Sequence, residues 1–274
     1  MLNIPNTIQT GEKILYVGVG GGYDILGAVP LHTTLAKPAA FANVGNTEIT
    51  MPGPFYTLSP KAGVVEAYEA LRRIVQIEGA DSVVAVDGGV DCLMRGDEVD
   101  AGTILQDFIT LAAIQMLQLP SVVSCLGFGC ETEEGLNHYR ALENIAGLAA
   151  AGGFLGTCSL TKHQVSFARY KEVCTKNWEG RRKSHVHPRV IAAVEGEFGD
   201  KCIDGVDANL LVPGGTLSPF ISPLMSMYWF FDLSVLMQVN KISGSLSGTK
   251  TMSEAFGIYR KLVTRTRPHL AIPL

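Results

Sequence analysis

Short apolar runs that end in glycine alternate along this chain with stretches of helical periodicity. Lys13 to Val19 is such a run, and Asp24 to Leu35 follows it with Ile25, Leu26, Ala28, Val29 and Leu35 at helical spacing, so strand, tight turn and helix are predicted. Ala39 to Val44 is the next strand candidate, leading to a loop marked by Met51-Pro52-Gly53-Pro54. From Val64 to Ile77, apolar residues recur at threes and fours while Glu66, Glu69, Arg72 and Arg73 fill the other face, the mark of an amphipathic helix. Ser82 to Asp87 and Ser121 to Leu126 are apolar on successive residues, as expected of parallel strands covered on both faces. Helices are predicted after them at Ala101 to Leu117 and Glu133 to Ala150.

The second half reads as mostly helical: Thr161 to Trp178, His187 to Phe198, Pro223 to Val239 and Ser253 to Thr264, with one strand candidate at Ala208 to Val212. The aromatic segment Met225 to Phe231 lies in the third of these and is expected to be a buried core helix or a subunit interface. Three strand-turn-helix units predict an α/β fold, a doubly wound, mainly parallel sheet (Rossmann-like) with helices on both faces and a helical C-terminal part. With no internal repeat and no low-complexity linker, residues 1–274 are expected to form a single domain.

Composition narrows the partners more than the fold. Twenty-two Lys and Arg against 26 Asp and Glu give a net charge of −4, and the longest basic run is Arg181-Arg182-Lys183, so a phosphate-backbone footprint is not expected and nucleic acid is excluded as a partner. At this length a compact fold removes roughly 75% of the extended chain's surface from water, so the fold requires neither disulfides nor metals. The start of the chain has no signal-peptide pattern and no apolar run reaches membrane-spanning length, so a cytoplasmic protein without a membrane partner is expected. Six cysteines without a CxxC pair are expected to be reduced thiols.

In a parallel sheet the carboxyl ends of the strands border the ligand crevice, so the loops that follow the strands carry the candidate chemistry. In the first, Gly20, Gly21 and Gly22 let a ligand approach the backbone and offer amides to an anion, with Asp24 beside them as a ligand or as a helix N-cap. The dinucleotide fingerprint is not met: Tyr23 stands where a glycine or alanine is needed, and Asn43 to Asn46 supply no acid after the second strand. The second loop, Asp87 to Glu98, holds four carboxylates (Asp87, Asp91, Asp97, Glu98) and Arg95, with Gly88 and Gly89 allowing convergence. Such a cluster can hold a divalent cation through oxygen ligands, or bind hydroxyls and supply a base; alternatively Arg95 pairs with Asp97 or Asp91 and the glycines only make turns. The third loop offers Gly127, Gly129 and Glu131, the latter as a site acid or as a charge complementing the next helix.

Two further features have weaker support. His185 and His187, at i and i+2 on a segment read as extended, would point the same way and could ligate zinc or act as acid or base, although no third ligand accompanies them at a telling spacing. Cys92 and Cys125 lie near the crevice without an adjacent base.

In order, GVGGGYDILGAVPL, DGGVDCLMRGDE, CLGFGCE, AAVEGEFGD and PLMSMYWFFDL resemble the domain-of-unknown-function 1152 family over nearly the whole chain. The central motif is similar to that family's Asp-Gly-Gly-x-Asp-Ser-Leu-Met-x-Gly-Asp-Glu pattern, with Cys92 in the serine position; if that serine is a nucleophile, sulfur replaces oxygen here. The resemblance implies no activity. The residues themselves point to a small-molecule enzyme, a hydrolase or lyase acting on a polar or anionic metabolite (nucleoside, sugar or phosphorylated compound). Asp87, Asp91, Arg95, Asp97 and Glu98 would be its reactive groups, and Gly20, Gly21, Gly22, Asp24, Gly88, Gly89, Gly127 and Glu131 would bind. A non-catalytic nucleotide or metabolite sensor and an atypical NAD-dependent oxidoreductase are the competing expectations, and a homodimer is the expected assembly.

Overall fold

The computed structural model describes residues 2, 4–45, 48–98, 104–131, 136, 138–179, 181, 183–201, 203, 211–212, 215–216 and 220–262. After a short helix α1 (Asn6–Gln9), strand β1 (Ile14–Gly18) leads through a single 3-10 turn (Asp24–Gly27) into α2 (Ala28–Leu35) and β2 (Ala39–Val44). Then come β3 (Phe55–Leu58), α3 (Val64–Glu78), β4 (Ser82–Gly88), α4 (Leu105–Met116), β5 (Ser121–Leu126), α5 (His138–Ala150), β6 (Phe154–Ser159), α6 (Val165–Trp178) and α7 (His187–Glu195). Two small ribbons pair β7 (Gly199–Asp200) with β10 (Phe220–Ile221) and β8 (Leu211–Val212) with β9 (Gly215–Thr216). Strand β11 (Met227–Asp232) and helices α8 (Leu233–Val239), α9 (Ser243–Leu246) and α10 (Met252–Leu262) complete the described chain.

Seven strands form one sheet in the order β3-β2-β1-β4-β5-β11-β6. The first five run parallel, while β11 lies antiparallel to both β5 and β6. Every residue of β1 and β4 is buried, because helices cover both faces. Leu15, Val17, Val83, Ala85 and Val123 pack on one side with α3, α4, α5, α8, α9 and α10; Ile14, Tyr16, Val84, Val86 and Val122 pack on the other with α1, α2, α6 and α7. In α3 the buried Val64, Ala67, Leu71 and Ile74 form the stripe read from the sequence, and full burial of a residue such as Leu71 contributes about 1.5–3 kcal/mol.

The mainly parallel sheet with helices on both faces agrees with the expectation; several elements differ in detail. The aromatic segment is a strand, not a helix. In β11, Tyr228 and Phe230 enter one apolar layer while Trp229 and Phe231 pack with the other. Because both layers are apolar, the alternation that announces a strand is erased, and only aromatic β-propensity remains as a cue. Asp232 ends the strand and caps α8, its side chain accepting from the Val235 amide at 2.9 Å. Strands β3 and β6 were not foreseen. Both lie at sheet edges, where half-exposed short segments lack an apolar run. The helix expected from Thr161 begins at Val165, and the one expected to reach Phe198 stops at Glu195, with Gly196 left-handed behind it. Ala101, Glu133, Cys202, Ala208 and Thr264, where other expectations began or ended, lie outside the described residues.

The switch in strand order decides where a ligand can enter. The chain leaves β1 outward through β2 and β3, then returns so that β4 pairs with the opposite edge of β1. The loops after β1 and β4 therefore diverge to opposite faces and leave a crevice at the carboxyl ends, where open α/β sheets bind ligands.

Candidate functional site

That crevice holds a cavity of about 480 Å³, lined by all three strand-end loops. Gly20, Gly21, Gly22, Tyr23 and Asp24 come from the first, Asp87, Gly88 and Asp91 from the second, and Cys130 and Glu131 from the third. Asp107 of α4 and the segment Lys183 to Val186 complete the wall. Five carboxylates, those of Asp24, Asp87, Asp91, Asp107 and Glu131, thus face one cavity.

Their electrostatics follow from burial. Asp87, Asp91, Asp107 and Glu131 are all at most 8% exposed. Desolvation, reinforced by the charges of Asp87 and Asp91, holds Asp24 and Glu131 well above the ordinary carboxylate range; Asp107 is raised the same way, with Asp24 adding to the repulsion. Burial lifts Asp87 to about 6, less than its neighbours, because Cys92 and Cys125 hydrogen-bond to its charged form. One oxygen each of Asp87 (Oδ2) and Asp107 (Oδ1) is buried without a hydrogen-bond partner. Ligand oxygens of Asp24, Asp87 and Asp107 lie within 4.8 Å of one another, so this set can hold a metal ion; a carboxylate oxygen of Asp87 and the sulfurs of Cys92 and Cys125 form a second such set. Hard oxygen donors suit magnesium, manganese or calcium.

The charge crowding has a measurable consequence. Carboxylates raised above their unfolded values bind protons more tightly in the folded state, so they favour folding at low pH. That contribution disappears as pH climbs from the unfolded carboxylate pKa near about 4 through the folded value of about 6 for Asp87, and higher for the others. The chelator-treated protein should therefore melt at a lower temperature at about pH 8 than at about pH 5, and added manganese should reverse the slope. Equal melting temperatures in chelator at both values would contradict the clustering of these acids.

The glycine loop is not an open anion cradle. The Gly20 amide donates to Asp24 Oδ2 at 2.8 Å, and the Gly21 amide also bonds that carboxylate. Gly20 is required sterically, since a Cβ there would stand 2.8 Å from Asp107 Oδ1 and 2.9 Å from Asp24 Oδ2. Asp24, inside the 3-10 turn whose N-cap is Tyr23, closes the loop, and its carboxylate lines the cavity with the other acids. Asn43, buried near the end of β2, sends its Nδ2 to the Gly22 carbonyl at 3.0 Å, so the position that carries a ribose-binding acid in dinucleotide sites serves the loop instead.

The second loop divides. Asp87, Gly88 and Asp91 line the cavity, whereas Arg95, Asp97 and Glu98 do not. Asp97 is ion-paired with Lys241, and Glu98 accepts from the amides of Arg95 and Gly96 at 2.8 Å each and from Asn144 Nδ2 at 2.9 Å. The Arg95 carbonyl accepts from the Lys241 amide at 2.9 Å. These three residues form a clasp between the loop, α5 and the segment before α9, because Gly96, at φ +95, turns the chain there against Ile242. Lys183, not Arg95, lines the cavity. Gly89 and Gly127 stand behind the wall, Gly89 against the Glu131 carboxylate, which accepts from the Val90 amide at 2.7 Å.

His185 and His187 do not act as a pair. His185 lines the cavity, but His187 begins α7 and is fully buried. Its Nε2 donates to the Tyr23 carbonyl at 2.7 Å and its Nδ1 accepts from the Tyr170 hydroxyl at 2.6 Å, an arrangement of the neutral ring, and burial lowers its pKa to about 4. It ties the glycine loop to α6 and α7. Arg189, also buried, donates to the Cys130 carbonyl and so positions the neighbouring Glu131.

Sequence reasoning missed Asp107, Lys183 as a wall residue, and Arg189. A signal for the first exists: Asp107 is the one acid in the apolar stretch Ile104 to Ile114, and its helix buries it.

Residues 39–269 match the family described as "Protein of unknown function (DUF1152)". The chain belongs to that family. No curated protein matches the chain. Among solved structures, the "MycE Methyltransferase from the Mycinamycin Biosynthetic Pathway in Complex with Mg, SAH, and Mycinamycin VI" is similar at 13% identity over 54% of this chain, with a TM-score of 0.29. The alignment spans 42% of that protein, and a likeness of this size carries no argument about function. Among the described residues of this DUF1152 member, no helix is long and apolar enough to cross a membrane. Its enzyme-like α/β fold and its buried acidic and cysteine clusters are compatible with a catalytic or metal-binding site.

Proposed function

We propose that the cavity is the active centre of a hydrolase or lyase acting on a small polar or anionic metabolite, a nucleoside, sugar or phosphorylated compound, with a divalent cation held by Asp24, Asp87 and Asp107. The observation that carries this reading is the pair of orphaned carboxylate oxygens, Asp87 Oδ2 and Asp107 Oδ1, buried on the cavity wall. Leaving such groups unpaired costs several kcal/mol, roughly, unless something positive sits between them. When bound, the cation polarises a substrate oxygen and draws an anionic ligand into a cavity that otherwise repels it.

The chain's own groups supply the rest. Asp91, whose carboxylate lines the cavity beside the cation's ligands, is the base. Glu131, held above the carboxylate range by burial, keeps a proton to give to a leaving group. Lys183 attracts the anionic part of the substrate, and Tyr23 lines the cavity beside it. The absence of an acid after β2 and the use of Asn43 inside the loop disfavour the nicotinamide reading.

Turnover of a metabolite mixture by the chelator-treated protein, with manganese then restored, tests the assignment. Restored consumption of at least one polar or phosphorylated compound is expected, together with its loss in Asp87→Asn. An Asp87→Asn protein that turns over the same compound undiminished would overturn it, and ligand binding with no cation-dependent turnover in the unaltered protein would favour the sensor.

A further inference from the structure

Next to Asp87, outside the cavity lining, stand two thiols. Cys92 in the 3-10 turn Asp91–Leu93 and Cys125 in β5 are both fully buried, with their sulfurs 3.4 Å apart. They come together because β4 and β5 are paired with Asp87 directly opposite Cys125, and the turn after β4 folds Cys92 back over the strand end. The two thiols and the Cys92 amide favour the charged form of the Asp87 carboxylate, whose Oδ2 is buried without a partner. Ligand atoms of Asp87, Cys92 and Cys125 all lie within 4.8 Å of one another. Asp87 thus belongs to two donor sets of opposite character, one of carboxylate oxygens and one with paired sulfurs.

We propose that Cys92, Cys125 and Asp87 form a second metal site for a thiophilic divalent ion of the zinc type; only the further step, Asp87 bridging this ion to the oxygen-site cation, rests on the proposed function. The sulfur site itself shares only Asp87 with the proposed function and does not require that reading to hold. Thiolates select zinc over magnesium or calcium, and zinc–sulfur and zinc–oxygen bonds of about 2.3 and 2.0 Å fit donor atoms at these separations. On binding, each thiol loses its proton to solvent and its electron pair forms the metal–sulfur bond, so one ion enters as two protons leave and no redox step occurs. A water or a substrate atom reached past Asp87 is left as the fourth ligand. A carboxylate bridge between two ions is the arrangement that lets one metal hold the attacking oxygen and the other the leaving one.

Cobalt reports the site directly. The reduced, metal-free full-length protein is titrated with cobalt(II) and followed by absorption. The expected result is a sulfur-to-cobalt charge-transfer band in the near ultraviolet, saturating at one ion per chain and erased by one equivalent of zinc. Cys92→Ser and Cys125→Ser should each remove most of the band, while Asp107→Asn should leave it intact. Cobalt binding without a sulfur band in the unaltered protein, or a band unchanged in Cys92→Ser, overturns the proposal, and the first of these needs no variant to fold. Manganese binding, lost in Asp107→Asn, reads the oxygen site separately, so failure of one site is not mistaken for failure of the other.

Discussion

Asp107→Asn should give a protein that is more stable than the original in chelator, yet hardly binds manganese. Asparagine keeps the shape of the side chain and removes a carboxyl that burial and the charges of Asp91, Asp87 and Asp24 make costly to ionise, and with it one of the charges that raise Glu131. Relief of this kind is expected to contribute about 1 kcal/mol, the usual yield of removing a functional destabilisation. The loss on the binding side is larger. Even an outer-shell partner is worth roughly 10- to 100-fold in metal affinity, and Asp107 is proposed as a direct ligand, so manganese affinity should drop by at least about 100-fold. Thermal melts in chelator and a calorimetric titration read the two effects independently. An Asp107→Asn protein that melts lower and binds manganese normally would mean that Asp107 is a structural acid.

Gly89→Ala should be the most damaging single-atom addition at the site. The backbone there has φ +142, a region that side chains rarely adopt, and an added Cβ would lie 2.2 Å from the Glu131 carboxyl carbon. Strain and overpacking each cost about 1–3 kcal/mol, which for a chain of this size lowers the melting temperature by roughly 10 °C. Glu131 must move, so its bond to the Val90 amide breaks and turnover falls with stability. Gly147→Ala supplies the opposite sign. It lies exposed on α5, a Cβ there meets nothing within 4 Å, and the substitution should stabilise by about 0.5–1 kcal/mol. A Gly89→Ala melt equal to the original would show that the carboxylate does not press on this position.

The acidic loop shows how charge density misleads a sequence reading. Asp87, Asp91, Asp97 and Glu98 fall within twelve residues, and nothing in their order separates cavity ligands from clasp. Separation comes from a single left-handed turn at Gly96 and from partners far along the chain, Asn144 and Lys241, which no local pattern connects to this loop. Lys183 was invisible for the same reason in reverse, since its nearness to the cavity is created only when the sheet closes; Asp107 left only the cue of a lone acid in an apolar stretch.

What the chain order alone determined was the layered architecture and the place of the crevice. Buried parallel strands demand apolar residues on both faces, and glycines must follow them where the backbone turns sharply, so β1, β4 and β5 and their three loops could be read directly. What only the tertiary structure decided was which edge of β1 receives β4, that an aromatic segment inserts antiparallel between β5 and β6, and which of the many carboxylates share a cavity. Those outcomes depend on contacts between residues distant in sequence, whose energies are set by burial and mutual charge after packing; local spacing carries no record of them.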